Sequence, residues 1–397
     1  MQNLIHKIKT LSADYYNEVV GIRRHIHQNP ELSFQEYETS KFIQAKLTEY
    51  NIPFKSGYVK TGIVGHIKGK KEGDGKTIAL RADMDALPIQ EAGTHKYCSL
   101  NDGVMHACGH DVHTAALLGA AKLLKELEEE FSGTIVLIFQ PGEEEHPGGA
   151  KLMLEEGALD EFKPDIILGQ HVLPEMEVGQ IGFRPGMYMA SGDEIHFKVK
   201  GHGGHGALPH KITDTVLTTA HIITALQQIS SRNAPATVPT VLSFGKVIAD
   251  GATNIIPNEV TVAGTFRTME EEWRAKAKRR MEQIATGIAE SMEATVEFDI
   301  KHGYPVLHND EKTTIKAKKL ATEFFGEDKI VDMDLRMTCE DFAYYSKEYP
   351  VCFMRFGVKP PEAEPKGSLH TPNFDIDERA LEAAMANLAF LGIKLQE

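Results

Sequence analysis

Thr77-Ile78-Ala79-Leu80-Arg81-Ala82-Asp83-Met84-Asp85 is a short, mainly apolar run that ends on two aspartates. It has the length of a strand rather than a helix, and its near-continuous apolar character predicts a strand buried on both faces. Two more runs read the same way. Thr134 to Gln140 leads into Glu143 and Glu144, and Asp165 to Gln170 leads into His171. Between them lie an Ala/Leu-rich run of helical period, Thr114 to Leu127, and the segment Gly149 to Gly157. Alternation of buried strands with helices predicts an α/β fold with a doubly wound sheet covered on both faces. Such sheets bind ligands beyond the carboxyl ends of their strands. The polar candidates above stand at those ends.

Outward from this core, Tyr16 to Gln28 reads as a helix broken by Asn29-Pro30, and Tyr37 to Tyr50 as one that stops before Pro53. After Pro185-Gly186 the pattern changes. Asp193 to Lys200 alternates as a half-exposed strand, and Asp214 to Ser230 is helical. Thr237 to Ile248 and Val260 to Arg267 read as strands, Glu270 to Met292 as a helix and Thr295 to Ile300 as a last strand. That β-α-β-β-α-β order is a ferredoxin-like unit. Strand and helix patterns resume with Lys312 to Phe325, Val351 to Gly357 and Asp377 to Leu391. At 397 residues the chain exceeds one ordinary core. The expected division is a first domain in two pieces, 1–188 and 302–397, with 189–301 inserted between them.

A net charge of −14 argues against nucleic acid as a partner. The basic run Arg274 to Arg280 follows Glu270, Glu271 and Glu272, and the Glu270–Arg274 and Glu272–Lys276 spacings read as a solvated helix face. Four scattered cysteines make no disulfide framework. Met1 to Thr10 has no apolar core of signal-peptide length, and no stretch has the roughly 20 apolar residues that span a bilayer. A reducing cytoplasm, away from membranes, is the expected setting, and it would keep thiols free for metal.

His106-Ala107-Cys108-Gly109-His110-Asp111 opens the first helix between the strands. Cys108-x-His110 lets a thiolate and an imidazole reach one ion from a loop. A lone cysteine is an ordinary small core residue; carboxylates and histidines at the other strand ends are what strengthen the metal reading. In Gln140-Pro141-Gly142-Glu143-Glu144-Glu145-His146, adjacent carboxylates repel unless a cation or proton offsets them. One can ligate a metal while its neighbour accepts a proton. Taken singly, an acidic loop, a core His171 and a solvated His370 in Ser368-Leu369-His370-Thr371-Pro372 are each unremarkable. The chain has 18 histidines, so most are not ligands. His106 and His113, which flank the pair, are read as residues that orient a ligand from behind. Gly201 to His210 is a glycine loop with three histidines, suited to close backbone approach by a substrate. Asn254 and Arg267 are further polar candidates, and Arg267 matters if the substrate carries a carboxylate.

These stretches together resemble the peptidase M20 family in its amidohydrolase branch, which includes auxin-conjugate hydrolases, hippurate hydrolases and N-acetyl-diaminopimelate deacetylases. The matching segments are Arg23 to Phe34, Arg81 to Pro88, His106 to Asp111 and Gln140 to Glu144. Gly203 to His210, Asn254 to Pro257, Gly264 to Arg267, Glu340 to Phe342 and Leu369 to Pro372 follow in family order. The resemblance implies two divalent ions (zinc, manganese, nickel or cobalt) held by Cys108, His110, Glu144, His171 and His370. It implies Glu143 as general base, with Asp85 supporting the ligands. It implies that the insert is a lid and dimerisation domain, that His205 reaches a neighbouring subunit's active site, and that Asn254 and Arg267 contact substrate. The implied activity is hydrolysis of a small-molecule N-acyl amino acid by a homodimer or homotetramer.

The sequence departs from the family pattern at Gly142, Glu145-His146-Pro147, Thr338-Cys339 and Met354-Arg355. These changes bear on acyl-group preference. Rival readings are a dipeptidase or carboxypeptidase on the same scaffold, a non-catalytic metal-binding protein, and a cysteine hydrolase using Cys108.

Overall fold

The computed structural model describes residues 2–397. The chain forms two compact units. One runs to Gly186 and takes in His308–Asp334 and Asp341–Glu397; the other is Met187–Leu307 with Leu335–Glu340. The short return of Leu335–Glu340 to the second unit is not anticipated by a boundary drawn at 301/302. It is tied there by backbone, with Ala190 N donating to Arg336 O and Arg336 N to Tyr188 O.

The first unit is built on an eight-stranded mixed sheet in the order Phe54–Tyr58, Gly62–Lys68, Thr134–Gln140, Thr77–Asp83, Ile166–Glu177, Val351–Lys359, Ile181–Phe183, Ile330–Asp332. Its four central strands, Thr134–Gln140 to Val351–Lys359, are parallel. Antiparallel neighbours flank them on both sides. The central strands are the apolar runs, and they are buried on both faces because helices cover both. Successive side chains alternate. Leu80 points at Gly392 of the helix Ala380–Lys394, while Arg81 points the other way, to Asp341 beside the short helix Tyr345–Glu348. The strand Ile166–Glu177 continues past its neighbours, so His171 lies within it rather than after it.

The helix His110–Glu126 is buried on nearly all sides. Its small residues permit close packing. A side chain on Gly119 would meet Met385 Sδ at 2.8 Å and Val19 Cγ2 at 2.9 Å, which brings three helices, Gln2–Gln28, His110–Glu126 and Ala380–Lys394, to one seam.

The second unit has the expected β-α-β-β-α-β order. Its antiparallel sheet runs Thr240–Ile248, Glu259–Thr268, Ser191–Lys200, Thr295–Lys301, with helices Thr215–Leu226 and Glu271–Ser291. Ile195, Phe197 and Val199 pack with Ile222, Leu226, Trp273, Ala277 and Met281 into its core. The opposite sheet face leaves His196, Lys198, Glu297 and Asp299 at least partly exposed. The basic run is not simply a solvated face. Arg274 and Lys278 are buried, and both bond Asp193, with Arg274 Nη2 and Lys278 Nζ each 2.7 Å from Oδ1. The alternating strand supplies a buried carboxylate that the helical reading of the run does not include. Among the described residues no helix is long and apolar enough to cross a membrane.

Candidate metal centre

The first unit gathers its chemistry where the parallel strands end. Gly109 precedes the helix His110–Glu126 with φ +87°, a left-handed turn, and a Cβ there would meet Val172 Cγ2 at 2.6 Å. Only glycine fits both demands. The turn sets Cys108 and His110 on one side, and the Cys108 Sγ lies 3.4 Å from His171 Nε2. His171 Nδ1 is 2.8 Å from the Val172 carbonyl, which accepts its proton and leaves Nε2 a lone pair.

His110 is fixed from behind. Its Nδ1 is 2.9 Å from the Asp85 carbonyl and 3.1 Å from Asp85 Oδ1. The other Asp85 oxygen accepts Ser33 Oγ at 2.6 Å and the Glu144 amide at 2.9 Å. One carboxylate thus orients an imidazole and the loop that carries Glu144. The far nitrogen, His110 Nε2, is buried and makes no hydrogen bond. It lies 3.8 Å from Asp83 Oδ2, 3.9 Å from Glu143 Oε2 and 4.0 Å from Glu144 Oε1. His370 has φ +59° and is half exposed; its amide bonds the Ala107 carbonyl, and its Nε2 lies 3.1 Å from Glu144 Oε1.

Donor atoms of Cys108, His110 and His171 lie within 4.8 Å of one another, as do those of Cys108, Glu144 and His370, and of His110, Glu143 and Glu144. A thiol, three imidazoles and two carboxylates, with one buried nitrogen left unpaired, form a donor set that fits divalent metal. Charge in the cluster agrees. Burial opposes a charge on His110, but Asp83, Cys108 and Asp85 raise its pKa well above the usual imidazole range. Hydrogen bonds with Cys108 and Glu144 hold His370 protonated up to about 10. Burial and Glu144 push the Cys108 thiol up. Burial, then Arg355 and His113, hold His171 well below the usual range. A cation entering here displaces protons, so its binding is expected to release them.

Two residues given no role from sequence stand beside the cluster. Asp83 Oδ1 is 2.6 Å from His113 Nδ1, and its Oδ2 pairs with Arg81 at 2.6 Å. Asp341 accepts from Arg81 and from Gln140, at 2.8 Å each, and its amide donates to Glu143 at 3.4 Å. The aspartate at the strand end is the signal for the first; for Asp341, 260 residues from its Arg81 partner, the one signal is the Glu340 to Phe342 segment of the resemblance, which assigns it no role. His113 also accepts the Val172 amide at 2.9 Å, so it braces Asp83 and the turn beside His171. His106 is buried with neither ring nitrogen bonded, and burial lowers its pKa to about 4.

The remaining candidates lie in the second unit. His205 pairs with Ile255 in a two-residue antiparallel ladder between separate loops, and Gly206 N donates to Asn254 O at 2.9 Å, so His205 and Asn254 share one loop pair. Arg267 is elsewhere in the unit. In one ladder Arg267 sits opposite Gly192 and Glu259 opposite Lys200. Eight residues at about 3.3 Å each put those ends roughly 26 Å apart, with His205 beyond the Lys200 end. Arg267 Nη1 donates to Cys339 Sγ at 2.5 Å, within the Thr338-Cys339 departure.

The family model described as peptidase family M20/M25/M40 matches residues 79–391. N-acyl-L-amino acid amidohydrolase of Geobacillus stearothermophilus is 42% identical over 306 residues, covering 77% of this chain and 82% of that protein. N-acetyl-L-cysteine deacetylase of Bacillus subtilis is 40% identical over 364 residues, covering 92% and 85% respectively. Among solved structures, the Bacillus subtilis YXEP protein, a dinuclear metal-binding peptidase from the M20 family, superposes with a TM-score of 0.82. It is 35% identical, over 97% of this chain and 99% of that one.

Proposed function

This chain belongs to peptidase family M20/M25/M40, and on that premise we propose that it hydrolyses the amide bond of an N-acyl amino acid, releasing a carboxylic acid and a free amino acid. The observation that carries the reading is the buried, unbonded His110 Nε2 among Cys108, His171, Glu143 and Glu144. Cys108, His110, Glu144, His171 and His370 would hold two divalent ions. When bound, these would polarise the amide carbonyl and make water acidic enough to react near neutral pH.

The protein's own residues do the rest. Glu143 takes the proton of the attacking water and delivers it to the departing amine. Asp85 is a positioning residue; it holds the His110 ring so that Nε2 points into the cluster. Arg267 pairs with the substrate carboxylate, and Asn254 holds a polar group of the substrate. His205 donates to the oxyanion. His205 and Arg267 stand too far apart within one second unit to hold one small substrate together. We therefore assign His205 to the site of a neighbouring subunit, in a homodimer or a tetramer of such pairs. The second unit then serves as lid and dimerisation domain. Four free cysteines suit a reducing cytoplasm.

A peptidase among the similar structures keeps dipeptide or carboxypeptidase substrates in view. A panel of N-acetyl, N-benzoyl and N-indoleacetyl amino acids, run against free-amine dipeptides with added metals, separates the two. Turnover of the acylated series with little of the free-amine series is expected, and the reverse preference would overturn the reading. Mixing inactive His205→Ala and Glu143→Gln proteins should restore partial activity through mixed dimers; a monomer in solution whose mixture stays inactive refutes the shared site.

A further inference from the structure

We propose that His27, Glu91 and His95 form a further binding site for a zinc-class divalent cation, sharing no ligand with the Cys108 cluster. His27 lies on the helix Gln2–Gln28 and is fully buried. Its Nδ1 is 2.8 Å from Asp111 Oδ2, and its Nε2 is 3.3 Å from Glu91 Oε1. That same Glu91 oxygen is 2.9 Å from His95 Nε2. The other Glu91 oxygen accepts the Ser99 amide at 2.6 Å, which fixes the carboxylate with Oε1 turned toward both imidazoles. All three donor atoms lie within 4.8 Å of one another.

The donor set and its support are those of a built zinc site. Two imidazoles and a carboxylate, with an open position, are a recognised zinc arrangement. Bonds of about 2.0–2.2 Å in a tetrahedron put donors roughly 3.3–3.5 Å apart; His27 Nε2 already stands at 3.3 Å from Glu91 Oε1, and His95 Nε2, at 2.9 Å, has only to move back by about half an ångström. Asp111 stands behind His27 as carboxylates stand behind metal-ligating histidines. Behind His95, the Cys98 thiol donates to the His95 carbonyl at 3.0 Å, and its sulfur lies 3.4 Å from His95 Nδ1. A proton on Nδ1 then bonds sulfur and leaves the Nε2 lone pair facing a carboxylate oxygen. In the other tautomer the Nε2 proton bonds Glu91 Oε1 directly, and a cation entering the cluster takes that proton's place. The His95 ring is already held by stacking on Tyr97, with centroids 4.0 Å apart. The nearby Arg23 charge is met by Asp111, Asp375 and Glu378, which leaves Glu91 for the ion.

The test is metal content, independent of hydrolysis. Wild type, His95→Ala, Glu91→Gln and Cys108→Ala proteins are dialysed against zinc, freed of loose metal and analysed. Wild type should carry one zinc ion per chain more than His95→Ala or Glu91→Gln, and Cys108→Ala should lose a different portion. Glu91→Gln keeps an oxygen for the Ser99 amide, so it serves where His95→Ala folds poorly. Cobalt substitution gives a second readout: wild type minus His95→Ala should leave a visible ligand-field band. Equal metal content in wild type and both variants would overturn the proposal and leave a plain hydrogen-bonded cluster. Failure of the amidohydrolase reading would show instead in Cys108→Ala, without touching that difference.

Discussion

Replacing Glu143 by Gln isolates the proton transfer from everything else at the site. The side chain is buried, its Oε1 accepts the Asp341 amide at 3.4 Å, and its Oε2 lies 3.9 Å from His110 Nε2. A carboxamide has the same shape and still accepts the Asp341 amide, so stability should change by no more than about 1 kcal/mol. What is lost is the ability to take a proton. A general base contributes on the order of 10²–10⁴ in rate, which is about 2.7–5.4 kcal/mol of barrier at 1.36 kcal/mol per decade. The assay is kcat for acetate release from an N-acetyl amino acid, with bound metal measured on the same sample. Glu143→Gln should lose at least about a hundredfold in kcat and keep its metal. Glu144→Gln should lose metal. Wild-type kcat in Glu143→Gln, or metal loss there rather than in Glu144→Gln, would refute the division of roles.

Gly109→Ala forces a left-handed residue and a contact with Val172, costing about 1–2 kcal/mol of backbone strain and about 1–3 kcal/mol of overpacking. The urea midpoint and metal content should both fall; no change in either would mean the turn does not set the Cys108–His110 geometry. Asp111 is expected to contribute to acid sensitivity. Burial alone would raise its pKa, but Arg23 and His27 hold it well below the carboxylate range. Its contribution is present above the unfolded value of about 3.9 and is lost as pH falls toward the native value. Asp111→Asn should lose about 1.5–3 kcal/mol at neutral pH, because Arg23 loses one charged partner and keeps Asp375 and Glu378. Its stability should then decline less steeply than wild type below about pH 4, and parallel pH profiles in urea unfolding would contradict this.

Much of the fold is legible in the sequence because the central strands are continuous apolar runs. Thr134 to Gln140 is a strand over that whole range, and the ferredoxin-like order of the insert follows from clear changes of period. The edges are harder to read. Phe54–Tyr58, Ile181–Phe183 and Ile330–Asp332 are short, or polar enough, that no alternation announces them. Cys108, His110 and His171 are marked by their own chemistry. The residues behind them are not. Asp341 sits in a short acidic pair with Glu340, and its importance comes from tertiary bonds to Arg81 and Gln140. The basic run misleads for a similar reason. Helical spacing pairs Arg274 with Glu270 and Lys276 with Glu272, whereas the fold joins Arg274 and Lys278 to Asp193 on a strand, with Glu271 a further partner of Arg274.

The central claim is that the Cys108 cluster, charged with divalent metal, cleaves an acylated amino acid. Its most direct test is to strip the protein of metal and titrate an ion back while following hydrolysis of an N-acetyl amino acid, with Cys108→Ala alongside. The account predicts no turnover in stripped protein, recovery with added ion in wild type, and none in Cys108→Ala. Full turnover in stripped protein, or recovery of Cys108→Ala to the wild-type rate, would contradict it.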